Sequence, residues 1–159
     1  MDLLNDEQCR LENLMPLILD SLDRGNTVRF SPRGVSMLPM LRQGIDSVEL
    51  GPLPERLKKY DLPVYRYPSG KYVMHRVVKV EEDHYVCLGD NTYTLEHIQH
   101  EQLIGVVTAF KRGEKRIEVE NTAYKLYCRL WVASYPLRKL LRRTISWLKR
   151  QLHNIRRGH

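Results

Sequence analysis

The stretch KYVMHRVVKVEEDHYVCLGDN, residues 71–91, decides the fold class that the sequence predicts. It contains two short segments rich in Val and Tyr, Tyr72–Val80 and His84–Leu88, on either side of the polar turn Glu81–Asp83. Short strands joined by tight turns pair antiparallel, whereas parallel strands need long crossover connections. We therefore predict an antiparallel hairpin that runs into a second turn at Gly89-Asp90-Asn91.

Similar short segments extend this pattern on both sides of the hairpin. The further predicted strands are Thr27–Phe30, Asp46–Leu50, Leu62–Tyr67, Leu103–Lys111 and Lys115–Glu120. Turn residues separate them at spacings that are typical of all-β domains and unlike those of alternating strands and helices. The expected fold class is mainly β, built on an antiparallel and partly closed sheet.

Helical periodicity flanks the strands at both ends of the chain. Apolar residues at three- and four-residue steps predict a first helix over residues 6–24, with a break or kink at Pro16. The same spacing predicts two C-terminal helices, over about residues 122–133 and 136–156. A chain of 159 residues can bury one such core but is too short for two.

Three regions follow from this pattern: an N-terminal helix over residues 1–26, a β domain over 27–120 and a helical tail over 121–159. Charge divides in the same way. Residues 1–120 hold 16 Lys and Arg against 19 Asp and Glu, whereas the tail holds ten Lys and Arg and no acidic residue. The basic excess therefore concerns the partner of the tail and not the β domain.

The sequence carries no pattern of secretion or membrane insertion. Its first residues are acidic and lack the basic start and apolar run of a signal peptide, and no stretch has the roughly 18 apolar residues of a membrane span. Cys9, Cys87 and Cys128 are scattered, which favours a reducing compartment. We expect a cytoplasmic protein whose contact with a membrane is at most peripheral, at the inner face.

The segment Gly34-Val35-Ser36-Met37-Leu38-Pro39 follows a predicted strand and could present a hydroxyl on a rigid turn. Gly34 permits a sharp turn, and Pro39 fixes the exit of the chain. Serine is a weak nucleophile without a positioned base. A lone serine in a turn more often caps its own backbone, so Ser36 alone does not predict a catalytic site.

Two further residues could complete such a site. His75 lies among the alternating apolar residues of Tyr72–Val80, and imidazole is the side chain best suited to accept a proton near neutral pH. In the same position it could be a core histidine with satisfied hydrogen bonds. Asp90 in the following turn could orient the ring, or it could bind backbone amides as turn residues do.

Three motifs, in order and at similar spacing, resemble those of the signal-peptidase/LexA superfamily of serine peptidases: Ser36-Met37-Leu38-Pro39, His75-Arg76-Val77-Val78 and Gly89-Asp90-Asn91. Leu103–Val107 resembles the strand that closes this fold, so the similarity covers about residues 27–112. The resemblance assigns a substrate-binding or structural part to Gly34, Met37, Pro39, Arg76, Gly89 and Asn91.

The resemblance implies that Ser36 is the nucleophile and that His75 is the general base. Typical bacterial signal peptidases and LexA-type repressors use lysine there, so the chain is similar to the Ser-His branch of endoplasmic-reticulum and SipW-like enzymes. The third member is either Asp90, within the Gly-Asp-Asn box, or Glu96, where the endoplasmic-reticulum type has an aspartate. Gly34 stands where some members carry a hydroxyl, so the backbone N–H of Ser36, alone or with that of a neighbour, would supply the oxyanion hole.

By the same resemblance, the substrate is a peptide or preprotein cut after small residues in a leader or signal-like segment. Two alternatives stay open. A self-cleaving repressor-type regulator would need a DNA-binding domain, and only about one helix precedes Thr27. A catalytically inactive binding protein of the same fold is compatible with the departures from the family pattern at Gly34 and Glu96.

The segment Glu96–Glu101, EHIQHE, contains two histidines and two acidic residues. The histidines are three positions apart, the HExxH order is absent and no third group of ligands stands out. We interpret the segment as a solvated loop, and we expect neither a metal nor a cofactor.

The last predicted helix is amphipathic, with leucines and Trp147 opposed by arginines and lysines. This pattern is typical of a helix that lies in a lipid interface with anionic headgroups, and residues 122–157 would make that contact. It is equally typical of a helix that packs on the β core or on a second copy. No nucleic-acid partner is expected, since interleaved aromatics are sparse, and the sequence does not predict an oligomeric state.

Overall fold

The computed structural model describes residues 5–157, with side chains from residue 14 to residue 147. The ends of the predicted N-terminal helix and C-terminal tail, residues 1–4 and 158–159, lie outside the described part. In chain order the elements are α1 (Asn5–Asp23), β1 (Val28–Phe30), β2 (Ser47–Gly51), β3 (Pro63–Arg66), β4 (Tyr72–Met74), β5 (Arg76–Val80), β6 (His84–Leu88), β7 (Glu96–Gln99), a 3-10 turn (His100–Gln102), β8 (Leu103–Arg112), β9 (Lys115–Glu118), α2 (Thr122–Ala133) and α3 (Tyr135–Arg157).

The strands form two antiparallel sheets, which confirms the predicted mainly β class. The first sheet has the order β1-β2-β8-β3-β4, and β9 also pairs with β8. The second sheet has the order β5-β6-β7. The long strand β8 organises the first sheet, because it pairs with β2, β3 and β9 along its ten residues.

The chain passes from the first sheet to the second at His75. The sequence predicts one continuous strand over Tyr72–Val80, but the ladder changes partner in the middle of it. Met74 pairs with Val64 in the first sheet, and Arg76 pairs with Leu88 in the second. The imidazole therefore lies at the junction of the two sheets, where neither ladder includes its residue.

The buried apolar residues form two clusters. The larger cluster joins the first sheet to α1 through Met15, Ile18 and Leu22. The smaller one lies between the two sheets and is built from Leu57, Tyr65, Val77, Tyr85, Cys87, Ile98 and Leu103. Burial of such side chains stabilises the fold by about 25 cal/mol per Å² of apolar surface removed from water.

The interpretation of residues 96–101 as a solvated loop is wrong for its first part. Glu96–Gln99 forms β7, which pairs antiparallel with β6. Alternate residues of a strand point to opposite sides, so Glu96 shares the inward side with the buried Ile98. Glu, His and Gln are weak strand formers, and one apolar residue is too little to reveal the alternation.

The helices agree with their predicted ranges to within one or two residues. α1 continues as one helix through Pro16, because its buried face packs on the first sheet. α2 begins at a cap in which Asn121 Oδ1 accepts hydrogen bonds from two backbone N–H groups. None of the helices in the described part of the chain combines the length and the apolar character needed to cross a bilayer.

Candidate active site

Ser36 lies on the turn that follows β1, and its side chain is half-buried. Gly34 has a φ of +91°, a backbone conformation in which a side chain would be strained, and its N–H donates to Gln43 Oε1 at 3.1 Å. Met37 is buried in the larger cluster, whereas Pro39 is exposed. The turn therefore holds Ser36 between a glycine bend and a residue anchored in the core.

The Gly89-Asp90-Asn91 turn packs directly on the backbone of this serine. The N–H of Asn91 donates to the Ser36 carbonyl oxygen at 2.7 Å, and its side-chain amide donates to the Val35 carbonyl oxygen at 3.1 Å. A Cβ added at Gly89 would lie 2.9 Å from the Ser36 carbonyl oxygen. Two of the three sequence motifs are thus in contact, and glycine is required where they meet.

His75 is 5% exposed and is held through one ring nitrogen. Its Nδ1 lies 2.9 Å from Glu96 Oε2 and 3.1 Å from the Tyr65 hydroxyl, and Tyr65 also donates a short hydrogen bond to Glu96. Glu96 reaches the ring because β7 directs it inward. A carboxylate and a phenol therefore fix the orientation of the imidazole.

The three motifs are linked through the Gly89-Asp90-Asn91 turn. Arg76, the residue after His75, binds both carboxylate oxygens of Asp90. Gly89 and Asn91 lie against the Ser36 backbone. Among the described residues, no hydrogen bond joins the Ser36 hydroxyl to the His75 ring.

The electrostatics of the site keep Glu96 ionised. Partial burial acts to raise its pKa, but the hydrogen bonds from His75, Tyr65 and Tyr67 outweigh burial and lower the pKa to about 2. Burial and the Glu96 carboxylate raise the pKa of Tyr65 far above its ordinary value. An ionised carboxylate only accepts hydrogen bonds, so it places the imidazole proton on Nδ1 and leaves a lone pair on Nε2.

The groups that would react have no partner among the described residues. This holds for the Ser36 hydroxyl, for Nε2 of His75 and for the backbone N–H groups of Ser36 and Met37. No buried side-chain nitrogen or oxygen in that part of the chain lacks a hydrogen bond, so solvent reaches both Nε2 and the hydroxyl. An alcohol, a basic nitrogen and two N–H donors are the set that acyl transfer requires.

Asp90, the other acidic candidate, binds arginine. Its Oδ1 accepts from Nε of Arg76 at 2.8 Å, its Oδ2 accepts from Nη2 at 2.8 Å, and the Tyr127 hydroxyl donates to Oδ2 at 3.0 Å. The two ions are buried, with 0% of Arg76 and 3% of Asp90 exposed. Of the two carboxylates that the sequence left open, Glu96 is the one bonded to His75, and Asp90 supports the turn.

Arg76 extends this support to α2, which the sequence did not predict. Its Nη1 donates to the Tyr124 hydroxyl and to Cys128 Sγ, both at 2.9 Å, and its Nη2 lies 3.0 Å from Met40 Sδ in the Ser36 turn. Burial opposes the charge, but the Asp90 carboxylate outweighs it and raises the pKa of Arg76. The spacing of Tyr124, Tyr127 and Cys128 on one helical face was the signal available in the sequence.

The helices also bind the backbone of the turn. Trp131 Nε1 and Arg138 Nη1 donate to the Asp90 carbonyl oxygen at 3.0 Å and 2.9 Å. The Tyr135 hydroxyl donates to the Tyr93 carbonyl oxygen at 3.0 Å. The turn that contacts Ser36 is therefore fixed from the far side by α2 and by the start of α3.

Comparisons with known proteins give no relative for this chain. No protein-family model matches it, and neither a curated protein nor a solved structure shows significant similarity to it. Among the described residues, no group of three or more His, Cys, Asp and Glu side chains is placed to hold a metal ion.

Proposed function

We propose that this protein is a serine endopeptidase of the signal-peptidase/LexA type, with Ser36 as nucleophile, His75 as general base and Glu96 as the acid that orients the base. The observation that supports the proposal is that the Gly89-Asp90-Asn91 turn contacts both other motifs, through the Arg76–Asp90 pair and through the backbone of Ser36. Glu96 and Tyr65 hold the imidazole through Nδ1, and Nε2 stays accessible on the ring. That is the tautomer that a general base needs.

In the first half of the reaction, Ser36 Oγ attacks the carbonyl carbon of the scissile peptide bond while its proton passes to Nε2 of His75. Glu96 stabilises the imidazolium that forms. The N–H groups of Ser36 and Met37 are the donors available to the developing oxyanion. Nε2 then gives the proton to the leaving amine, the C–N bond breaks and an acyl ester remains on Ser36.

In the second half, water replaces the amine. Nε2 accepts a proton from the water as its oxygen attacks the ester carbonyl, and the same proton returns to Ser36 Oγ as the C–O bond breaks. The serine and the neutral imidazole are restored, and the cycle uses no metal or redox cofactor. The general base must come within about 2.6–3.2 Å of the hydroxyl when substrate is bound.

The proposed substrate is an extended peptide with small side chains at the cut, in a leader or signal-like segment. This part of the proposal rests on the resemblance of the three motifs. A library of peptides that differ in the residues around the cut, read by mass spectrometry, tests it. Cleavage that prefers large or charged residues at the cut would contradict the assignment to this class.

A serine-reactive fluorophosphonate probe tests the nucleophile and the base together. We expect labelling of the wild-type protein, none of Ser36→Ala and labelling slower by about 10²–10⁴-fold for His75→Ala. Ser69→Ala and His100→Ala are matched controls, because both side chains are exposed in other parts of the chain. Labelling at the parental rate in His75→Ala would refute the mechanism, and a wild-type protein that neither labels nor cleaves would favour the inactive binding protein.

A further inference from the structure

α3 presents an apolar face that no described part of the chain covers. Leu137, Leu140, Leu141 and Ile145 lie on one side of this helix, and each is between 52% and 60% exposed. Trp147 borders this stripe and is 54% exposed. Side chains of this size at helical spacing normally pack against another surface, so the stripe marks a contact surface.

The opposite side of α3 is basic and faces the body of the protein. Arg138 donates to the Asp90 carbonyl oxygen, and the guanidinium of Arg142 lies 4.6 Å from the centre of the Tyr93 ring. These contacts fix the first turns of α3 against the loop beside the candidate active site. Leu137, Leu141 and Ile145 consequently point away from the β domain, whereas Leu140 and Trp147 border the groove between α3 and residues 91–94.

The two C-terminal helices therefore differ. α2 packs on the core through the buried Tyr124 and Cys128. For this helix, packing on the β core is therefore the correct one of the alternatives that the sequence left open. α3 has the stronger separation of apolar and basic sides, and it exposes more large apolar residues than α2, which exposes Leu126 and Leu130. The lipid contact that the sequence suggested for residues 122–157 is therefore expected at α3 and not at α2.

We propose that α3 is an anchor that lies in the plane of an anionic lipid surface, with its apolar stripe among the acyl chains. The charge of the tail favours an anionic lipid surface over other partners. Residues 121–159 carry ten Lys and Arg and no acidic residue, which complements anionic headgroups. The same uniform charge opposes the pairing of two copies through this helix, and a nucleic acid would engage only the basic side and leave the leucines in water.

The lipid contact of α3 does not depend on the proposed peptidase activity, but α3 contacts the candidate active site. The Asp90 carbonyl oxygen that Arg138 binds belongs to the turn that contacts Ser36. An α3 embedded in a lipid surface would therefore hold the candidate active site next to that surface. Substrates attached to the same membrane would be within its reach.

Co-sedimentation with vesicles tests the anchor on the full-length protein. We expect binding to vesicles of phosphatidylcholine mixed with phosphatidylglycerol, and little binding to phosphatidylcholine alone. Raising the salt concentration from about 0.1 M to about 1 M shortens the Debye length from about 10 Å to about 3 Å, so binding weakens. The double substitution Leu141→Gln with Ile145→Gln removes two residues from the stripe without changing the charge, and binding falls by at least about tenfold.

The matched control is Leu126→Gln with Leu130→Gln, which changes two exposed leucines at the same spacing on α2. The control binds as the wild type does, and circular dichroism verifies that both double variants are folded. The proposal is wrong if the wild-type protein does not bind anionic vesicles. It is also wrong if both double variants lose the same amount of vesicle binding. Two other results would also contradict it. One is a dimer, seen in sedimentation equilibrium, that the α3 substitutions dissociate and the α2 substitutions do not. The other is binding to an oligonucleotide that is tighter than binding to vesicles and that the α3 variant retains.

Discussion

Glu96 and Asp90 are two carboxylates close to one turn, and their partners give them different roles. Glu96 accepts hydrogen bonds from His75 and two tyrosines, all of them uncharged donors when the ring is neutral. Asp90 is bound by both arms of a buried guanidinium. The first carboxylate can respond to a proton that arrives on the histidine, whereas the second is neutralised by a permanent charge.

Replacing Glu96 tests its role in the reaction. In Glu96→Gln the amide can donate to Nδ1, which favours the wrong imidazole tautomer and removes the charge that stabilises the imidazolium. We expect kcat/KM to fall by about 10²–10⁴-fold, measured on a cleaved peptide. Asp83→Asn is the control, because this exposed carboxylate binds His84 and not the candidate base. Parental activity in Glu96→Gln would remove Glu96 from the mechanism.

The lowered pKa of Glu96 also predicts a dependence of stability on pH. Its pKa falls from 4.5 to about 2 on folding, so its contribution is fully present above pH 4.5 and is lost as the pH falls towards 2. The contribution at neutral pH is about 3 kcal/mol. Urea denaturation should show wild type more stable than Glu96→Gln at pH 7, and the difference should shrink near pH 2. A difference that stays constant with pH would contradict this account.

Gly89 is a residue where a single methyl group should disturb the candidate site directly. A Cβ there would lie 2.8 Å from Thr92 Cγ2 and 2.9 Å from the Ser36 carbonyl oxygen. We expect Gly89→Ala to lower the free energy of unfolding by about 1–3 kcal/mol and to reduce activity. Adding Thr92→Ser removes the methyl clash but not the backbone clash, so activity should stay low. Recovery in the double variant would show that the contact with Ser36 is unimportant.

Among the elements, β5, the Gly89–Asn91 turn and α2 form a unit through the Arg76–Asp90 ion pair. Breaking a buried pair leaves one charge without a partner, so Asp90→Asn should lower the free energy of unfolding by about 3–5 kcal/mol. The folded fraction of this variant should show the same dependence of reaction rate on pH as the wild type, since Asp90 does not contact the imidazole. Urea denaturation and a pH–rate profile measure the two effects, and a shifted profile with unchanged stability would reverse the roles of Asp90 and Glu96.

The elements also show what the sequence could predict. The strand His84–Leu88, a short apolar run between two turns, was predicted with its observed ends, and α2 matched its predicted range. The division at His75 could not be predicted, because the apolar pattern continues across the change of sheet. β7 was missed for lack of apolar residues, and the inward direction of Glu96 was missed with it.

The candidate site was predictable to the same extent. Local motifs could nominate Ser36 and His75, and Gly34 indeed has the left-handed backbone that the turn requires. The choice between Asp90 and Glu96 could not be made, because it depends on which side of β7 faces the ring and on the demand of Arg76 for a carboxylate. Both depend on contacts between residues that are far apart in the sequence.

At the scale of the whole molecule, residues 1–120 hold slightly more acidic than basic residues, and a basic helical tail follows them. The contacts of α3 with the domain that we describe involve its first two turns, at Tyr135, Arg138 and Arg142. A helix without tertiary packing is only marginally stable in water. Backbone amides after Arg143 should therefore exchange with solvent at least about tenfold faster than those of β8, as measured by mass spectrometry.

Anionic vesicles should slow that exchange, while phosphatidylcholine vesicles should leave it unchanged. The amides of β8 serve as the internal reference, since they lie in the centre of the first sheet. Slow exchange along all of α3 in the absence of lipid would mean that the helix is packed on a partner. That result would argue for a second copy.

The buried arginine has a consequence for the order in which the molecule is made. Its partners Tyr124 and Cys128, and the Tyr127 that binds Asp90, come after the last strand in the chain. While the tail is still inside the ribosome, a nascent chain has every strand but lacks the groups that close around this charge. The proposed peptidase would thus gain its supported active site only after α2 has been synthesised and has left the ribosome.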